Sequence, residues 1–318
     1  MSLLPVCPAH ALEEKPPERR WLIESLWSAE AVGIVGGEPK CCKSFLALDM
    51  AVSVASGTAC LRRFPVPSPG RVLLYAAEDA LHVVRRRLEG ICRAAGVDLE
   101  GLDLQVITAS SLRLDLPADR DSLCKTVAHL QPRLLVLDPF VRLHRSIDEN
   151  NSGEVAPLLA YLRELQRLHR LAVVLVHHAK KGAAKARAGQ ALRGSSEFHA
   201  WGDSNLYLRR AGDALSLSVE HRAAPSRTAL PVGLHVDGDA LALALVDSKP
   251  AQPPPATTHS ATDRVENALA ASPAPLSVTA LREKCRMRTQ TVTACLADLV
   301  RSGRATRTAS GYAIAGRT

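Results

Sequence analysis

The sequence predicts an α/β fold built on a mostly parallel sheet, and three observations carry that prediction. Short apolar runs alternate with helix-periodic segments over the first 180 residues or so. Several of the runs are continuously apolar, as expected for strands covered on both faces. The connections between them are long enough for helical crossovers, which favours parallel pairing.

The elements follow in order. AVGIV (31–35) is the first such strand, and the glycine-rich GGEPKCCKS (36–44) separates it from a helix over 44–56. RVLLYAA (71–77) is a second strand, followed by a helix over 79–95. DLQVIT (103–108) precedes a helix over 119–129, and RLLVLD (133–138) precedes one over 153–169. In that last helix Val155, Leu158, Leu159, Leu162, Leu165 and Leu168 recur at helical spacing, with charged residues opposite. LAVVLVHH (171–178) is a further buried strand. After residue 203 the pattern changes: SNLYLRR, ALSLSVEHR, ALPVGLHV and ALALALV read as antiparallel strands extending the sheet.

Composition sets limits. The chain has 318 residues, 47% hydrophobic and 23% charged, which is ample for a soluble core. Aromatics make up only 3%, so aliphatic side chains must fill that core. The formal net charge of +8 suits a polyanionic partner. No apolar run approaches the ~18 residues of a membrane span, and the N-terminus has no signal-peptide pattern. The eight cysteines show neither C-x-x-C nor zinc-like spacing. Free thiols in a cytoplasmic protein are the expectation.

The segment 247–261, DSKPAQPPPATTHSA, lacks apolar periodicity and reads as a stiff linker. Three regions follow: a body over 1–246, a Pro-rich linker over 247–260 and a tail over 261–318. The tail reads as three helices (TDRVENALAA, LSVTALREKC with Ser277 as N-cap, and MRTQTVTACLADLVRSG) followed by two short strands in RATRTASGYAI. That is the order of a winged helix-turn-helix. The tail holds nine Lys/Arg against four Asp/Glu, five of the net eight charges. Arg286, Arg288, Gln290 and Thr291 would open its recognition helix, with Arg304 and Arg307 beside the wing.

Strand, glycine-rich turn, Lys-Ser and helix is the layout of a phosphate-binding loop, whose backbone N–H groups cradle an anion at a helix N-terminus. The candidates are Gly37, Glu38, Pro39, Lys40, Cys41, Cys42, Lys43 and Ser44. Lys43 would reach the β- and γ-phosphates, and Ser44 would offer its hydroxyl to Mg²⁺. The pattern G-x-x-x-x-G-K-[ST] asks for glycine at 42, where this chain has cysteine. In a left-handed slot that costs roughly 1–2 kcal/mol. Next to Lys43 and a helix N-terminus, Cys42 could also carry a lowered pKa and be oxidisable; the simpler alternative is a small residue that fits. Glu78 follows a second strand, with Asp79 beside it. Asp138 ends LLVLD, four apolar residues and an acid. His177 and His178 end a third strand. In a parallel sheet these strand ends share one edge.

Together these motifs resemble the RecA-like P-loop ATPases, in particular the RepA-type plasmid helicase group, over roughly residues 20–246. The resemblance implies that ATP lies on 37–44, that Glu78 orients and deprotonates water, and that Asp138 holds the Mg²⁺ shell with Ser44. It implies that His177 or His178 reports the γ-phosphate. Arg193, Arg210 or Arg222 would act as a finger in trans, with Arg210 favoured, which requires a homo-oligomer such as a hexameric ring. The basic stretch HHAKKGAAKARAGQALRGSS (177–196), with Lys180, Lys181, Lys185 and Arg187, would contact single-stranded DNA. Three functions are compatible with these residues: a DNA-associated, helicase-like ATPase in replication or mobile-element transfer, an ATP-switched DNA-binding regulator or adaptor, and an assembly ATPase that does not act on DNA.

Overall fold

The structure is a computed structural model. It describes residues 4–12, 20–178, 197–238, 240–246, 261–272, 274–285, 287, 289–308 and 310–315. The expected linker over 247–260 and the basic stretch from Lys180 to Arg193, with Lys181, Lys185 and Arg187, lie outside these residues, as do Arg286 and Arg288. The chain divides into two compact units, Met1–Asp247 and Ser248–Thr318.

In the first unit a small hairpin, β1 (Trp21–Ile23) and β2 (Trp27–Ser28), precedes β3 (Val32–Gly37). The alternation then runs α1 (Lys43–Ser56), β4 (Val72–Ala76), α2 (Leu81–Ala95), β5 (Leu104–Val106), α3 (Pro117–Leu130), β6 (Leu134–Asp138), α4 (Ser152–His169) and β7 (Ala172–His178). A short α5 (Glu197–Trp201) leads to β8 (Ser204–Ala211), β9 (Ala214–His221), β10 (Arg227–Asp237) and β11 (Ala240–Leu245). Among the described residues β3 to β11 form one sheet, ordered β11-β10-β9-β8-β3-β7-β6-β4-β5. This is the α/β, mostly parallel core expected of a RecA-like P-loop fold.

Local chemistry sets the boundaries. α1 and α2 end where Gly57 and Gly96 adopt the left-handed conformation that glycine tolerates. α3 begins on Pro117, whose missing N–H is no loss in a first turn. α4 is capped by Asn151, whose Oδ1 accepts from Gly153 N at 3.0 Å. The central strands are buried on both faces, with α1, α2 and the late strands on one side and α3, α4 and α5 on the other.

Two features differ from the expectation. β8 does not join as an antiparallel strand: it runs parallel to β3, with Val35 opposite Leu206, and only its other edge pairs antiparallel with β9. Its Ser204 and Asn205 bind the β3 region through Ser28 N (3.1 Å) and Ile34 N (3.1 Å), which seats the strand there. The β1–β2 hairpin was not anticipated, because WLIESLW offers too short an apolar pattern to read as paired strands. It contributes Trp27, fully buried, whose Nε1 donates to Ala31 O at 3.3 Å.

The second unit contains α6 (Ala261–Ala270), α7 (Val278–Cys285) and α8 (Thr289–Arg301), then the hairpin β12 (Ala305–Thr308) and β13 (Gly311–Ile314). Val265, Leu269, Leu281, Val292, Leu296 and Leu299 form its own core. Ser277 caps α7, its Oγ accepting from Ala280 N at 3.2 Å.

Candidate nucleotide-binding site

Four adjacent strands, β3, β7, β6 and β4, end at one edge of the sheet and carry the predicted groups there. β3 runs into the 37–44 loop, β7 ends in His177 and His178, β6 ends in Asp138, and Glu78 stands two residues beyond β4. Register fixes the alignment: Gly37 lies opposite His178, and Ala76 opposite Asp138. Between them is a cleft of about 310 Å³, lined by Lys40 to Phe45, Glu78, Asp79, Arg87, Asp138 and His178.

The loop is shaped by its backbone. Gly37 has no room for a side chain, since a Cβ there would lie 2.4 Å from Leu208 O and 2.6 Å from Cys41 Sγ. Lys40 and Cys42 both have φ of 65°, so position 42 is the left-handed slot for which the motif asks glycine. Glu38 O accepts from both Lys43 Nζ and Cys41 Sγ, each at 2.8 Å, which closes the loop on itself. Cys42 is the residue before α1, so the loop's N–H groups lie at the positive end of that helix.

Burial governs the electrostatics. It pushes the Lys43 ammonium below the usual lysine range, although Cys41, Asp138 and Glu78 draw it back up. It pushes the Asp138 carboxyl up to about 6, against the hydrogen bond from Ser44, with Glu78 and Asp79 adding to the rise and Lys43 opposing it. It also pushes both loop thiols up, outweighing Lys43 and Arg210. Desolvation of the Cys42 thiolate is thus the larger effect, which favours the simpler reading of a small residue that fits over an acidified one.

The remaining predicted residues divide. His178 lines the cleft. His177, 1% exposed, points to the opposite face of the sheet, because successive strand side chains alternate. It stacks on Phe198 at 4.1 Å between ring centroids. Glu78 is exposed and pairs with Arg142 at 3.3 Å. Arg210 reaches its own chain's loop, with Nη2 3.5 Å from Lys40 O and 3.9 Å from Cys42 Sγ. Arg222 is tied to Asp203 at 3.2 Å, and Arg193 lies outside the described residues. In the second unit Gln290 and Thr291 are exposed at the start of α8. Arg304 is half-exposed and bound to Glu266, Nε to Oε1 at 2.8 Å. That ion pair commits the guanidinium within its own unit, a constraint on the role expected for it at the wing.

Sequence reasoning missed Phe45 and the Asp79–Arg87 pair. Arg87 Nη2 lies 3.2 Å from Asp79 Oδ1, and the guanidinium stands 5.3 Å over the Phe45 ring. The acid precedes α2 and the arginine lies eight residues on, so no i,i+4 rule links them. Phe45, directly after Ser44, carries along the chain only the signal of an apolar helix over 44–56.

Oxygen ligands suit Mg²⁺. The Ser44 hydroxyl and the Asp138 carboxylate, hydrogen-bonded to each other beside Lys43, form such a pair, so the residues fit a metal–triphosphate.

Residues 2–184 match a family model described as an AAA domain. Among solved structures, a DnaB-like replicative helicase, described with its interactions with primase, superposes with a TM-score of 0.51 at 12% identity, covering 67% of this chain and 57% of that one. A solved ATPase domain superposes at 0.50 and 12%, covering 68% and 86%. At such identity the likeness is one of fold, and the shared fold is that of the RecA-like P-loop ATPases.

Proposed function

The chain belongs to the AAA domain family, and on that premise we propose that it hydrolyses ATP with Mg²⁺ in this cleft and couples the reaction to DNA. The observation that carries the proposal is the convergence of Lys43, Ser44, Glu78, Asp138 and His178 on one strand edge at the start of α1. Loop N–H groups and Lys43 would bind the phosphates. Ser44 and Asp138 would hold Mg²⁺, which supplies charge neutralisation at the β- and γ-oxygens. Glu78, released from Arg142, would accept the proton of the attacking water, and His178 would contact the γ-phosphate.

The DNA part rests on the RepA-like resemblance, on the helicase among the structural neighbours, and on the basic residues Lys180, Lys181, Lys185 and Arg187. The second unit, three helices and a hairpin, is proposed as a winged helix-turn-helix that presents Gln290 and Thr291 to duplex DNA. A homo-oligomer, a hexameric ring being one form, is proposed on the same resemblance. Since Arg210 reaches its own loop, its contribution would be made within the chain, whichever residue a neighbour supplies. A cytoplasmic location is proposed on the free thiols. Among the described residues, no helix is long and apolar enough to cross a membrane.

The test is ATP hydrolysis with and without single-stranded DNA, with Lys43→Ala as control. Stimulation that Lys43→Ala abolishes supports the reading. Hydrolysis that DNA leaves unchanged removes the DNA part, and nucleotide binding that survives Lys43→Ala removes the site. The Glu78–Arg142 pair favours a second reading, an ATP-switched DNA-binding regulator whose base is held back in the resting state. A strand-displacement assay separates a motor from such a switch.

A further inference from the structure

Asp79 and Arg87 line the cleft, yet the reaction as described gives them no part. Arg87 holds Asp79 with both arms of its fork: Nη1 donates to Asp79 Oδ2, and Nη2 lies 3.2 Å from Oδ1. A bidentate pair of this kind fixes geometry as well as supplying energy. The same guanidinium stands 5.3 Å over the Phe45 ring.

The place of the pair in the chain gives it meaning. Residues 77–80 join β4 to α2, and Glu78 lies within that turn. On one side of Glu78, Ala77 N donates to Asp138 O at 2.7 Å. On the other side the Asp79 carboxylate is fastened to Arg87, in the second turn of α2. Ala80, the residue before that helix, offers no side-chain cap, and the Asp79–Arg87 pair ties the turn to the helix in its place. Phe45 adds the third point. It follows Ser44 in α1, so the ring beneath the guanidinium is one residue from the hydroxyl that would hold Mg²⁺. A planar guanidinium can fork onto a carboxylate and stack on an aromatic face at once, which an ammonium cannot. Arg87 therefore touches both the turn that carries Glu78 and the start of the helix that carries Ser44.

We infer that Arg87 is a positioning residue for hydrolysis. Through Asp79 it holds the backbone from which Glu78 projects, and through Phe45 it sets that backbone at a fixed separation from Ser44. It presents the Glu78 carboxylate to the attacking water and binds no nucleotide atom itself. This rests on the reading of the cleft as an ATP site, and it gives a part to side chains that touch neither the water nor the phosphates.

The experiment is a double-mutant cycle in the full chain: wild type, Asp79→Asn, Arg87→Met and the two combined, each checked by thermal melting. It reads kcat and KM for Mg-ATP hydrolysis, with the affinity of a non-hydrolysable ATP analogue measured by titration. Each single variant should lower kcat by about tenfold to a hundredfold, the scale of a misplaced reacting group. KM and analogue affinity should stay within about twofold of wild type. The combined variant should fall no further than the worse single one, because either change alone opens the clamp. A purely structural role would lower the melting temperature and leave kcat alone. Three results overturn the inference while the ATP site stands. Both single variants keep the wild-type kcat; or the two losses multiply; or analogue affinity falls in Arg87→Met alone, which would make Arg87 a phosphate ligand. A wild type that does not hydrolyse ATP overturns both readings. Arg87→Met is the variant open to misfolding, since it leaves Asp79 without its partner. Asp79→Asn, of the same size, keeps the test decisive.

Discussion

Replacing Cys42 by alanine and by glycine separates two effects that this position combines. The backbone there has φ of 65° and ψ of 25°. For a residue with a Cβ that conformation costs roughly 1–2 kcal/mol, and glycine escapes it. Glycine in turn loses about 0.4–1 kcal/mol through the greater freedom of the unfolded chain. Alanine keeps the strain and removes the half-buried thiol with its weak 3.9 Å contact to Arg210. Cys42→Gly should therefore be more stable than Cys42→Ala by about 0.5–1 kcal/mol, a difference of roughly 1–4 °C in the melting temperature of a body this size. Nucleotide affinity should hold or improve in Cys42→Gly, because the N–H groups stay in place without strain. Urea and thermal unfolding of the three proteins, with titration of a fluorescent ATP analogue, make the comparison. If alanine and glycine are equally stable, left-handed strain is not what position 42 carries. If glycine weakens nucleotide binding, the cysteine is a functional part of the loop rather than a tolerated departure from the motif.

Asp138, with its carboxyl raised to about 6, binds a proton more tightly folded than unfolded. The resulting stabilisation is complete below about pH 4 and is lost as pH rises through about 6. Asp138→Asn should therefore be more stable than wild type at pH 8, by up to about 3 kcal/mol, and close to it at pH 4. Coincident urea midpoints at pH 8 would count against the buried charge. Glu78→Gln should keep analogue affinity and reduce turnover by about 10²–10⁴, and wild-type turnover in a quench assay would remove Glu78 from the base role. Millimolar peroxide should leave ATP binding unchanged, since burial disfavours both loop thiolates. Inhibition reversed by a thiol reductant would restore the redox reading.

The extent to which the sequence disclosed this molecule follows from the range of the forces involved. Strands β3, β4, β6 and β7 are continuous apolar runs, so burial on both faces identifies them, and their shared polarity puts Asp138 and His178 at one edge. Period-2 alternation could have assigned the histidines, since only one of two neighbours can face α1, but it could not say which. That depended on the register of Gly37 with His178. The Asp79–Arg87 pair and the contact of Arg210 with its own loop join segments that carry no pairing signal along the chain. The parallel seating of β8 against β3 depends on hydrogen bonds that Ser204 Oγ and Asn205 Oδ1 accept from Ser28 N and Ile34 N, long-range contacts that the strand-like pattern of SNLYLRR does not signal.

The setting of α1 has a mechanical corollary. It has no exposed residue, and it packs against β3, β4, β6, β7, α2 and the returning strand β11. A rod gripped by so many elements resists tilting or sliding when a ligand docks at its tip. Whatever work the molecule performs must be delivered by the rim, where chain leaves the strands, with the shaft beneath serving as the anvil.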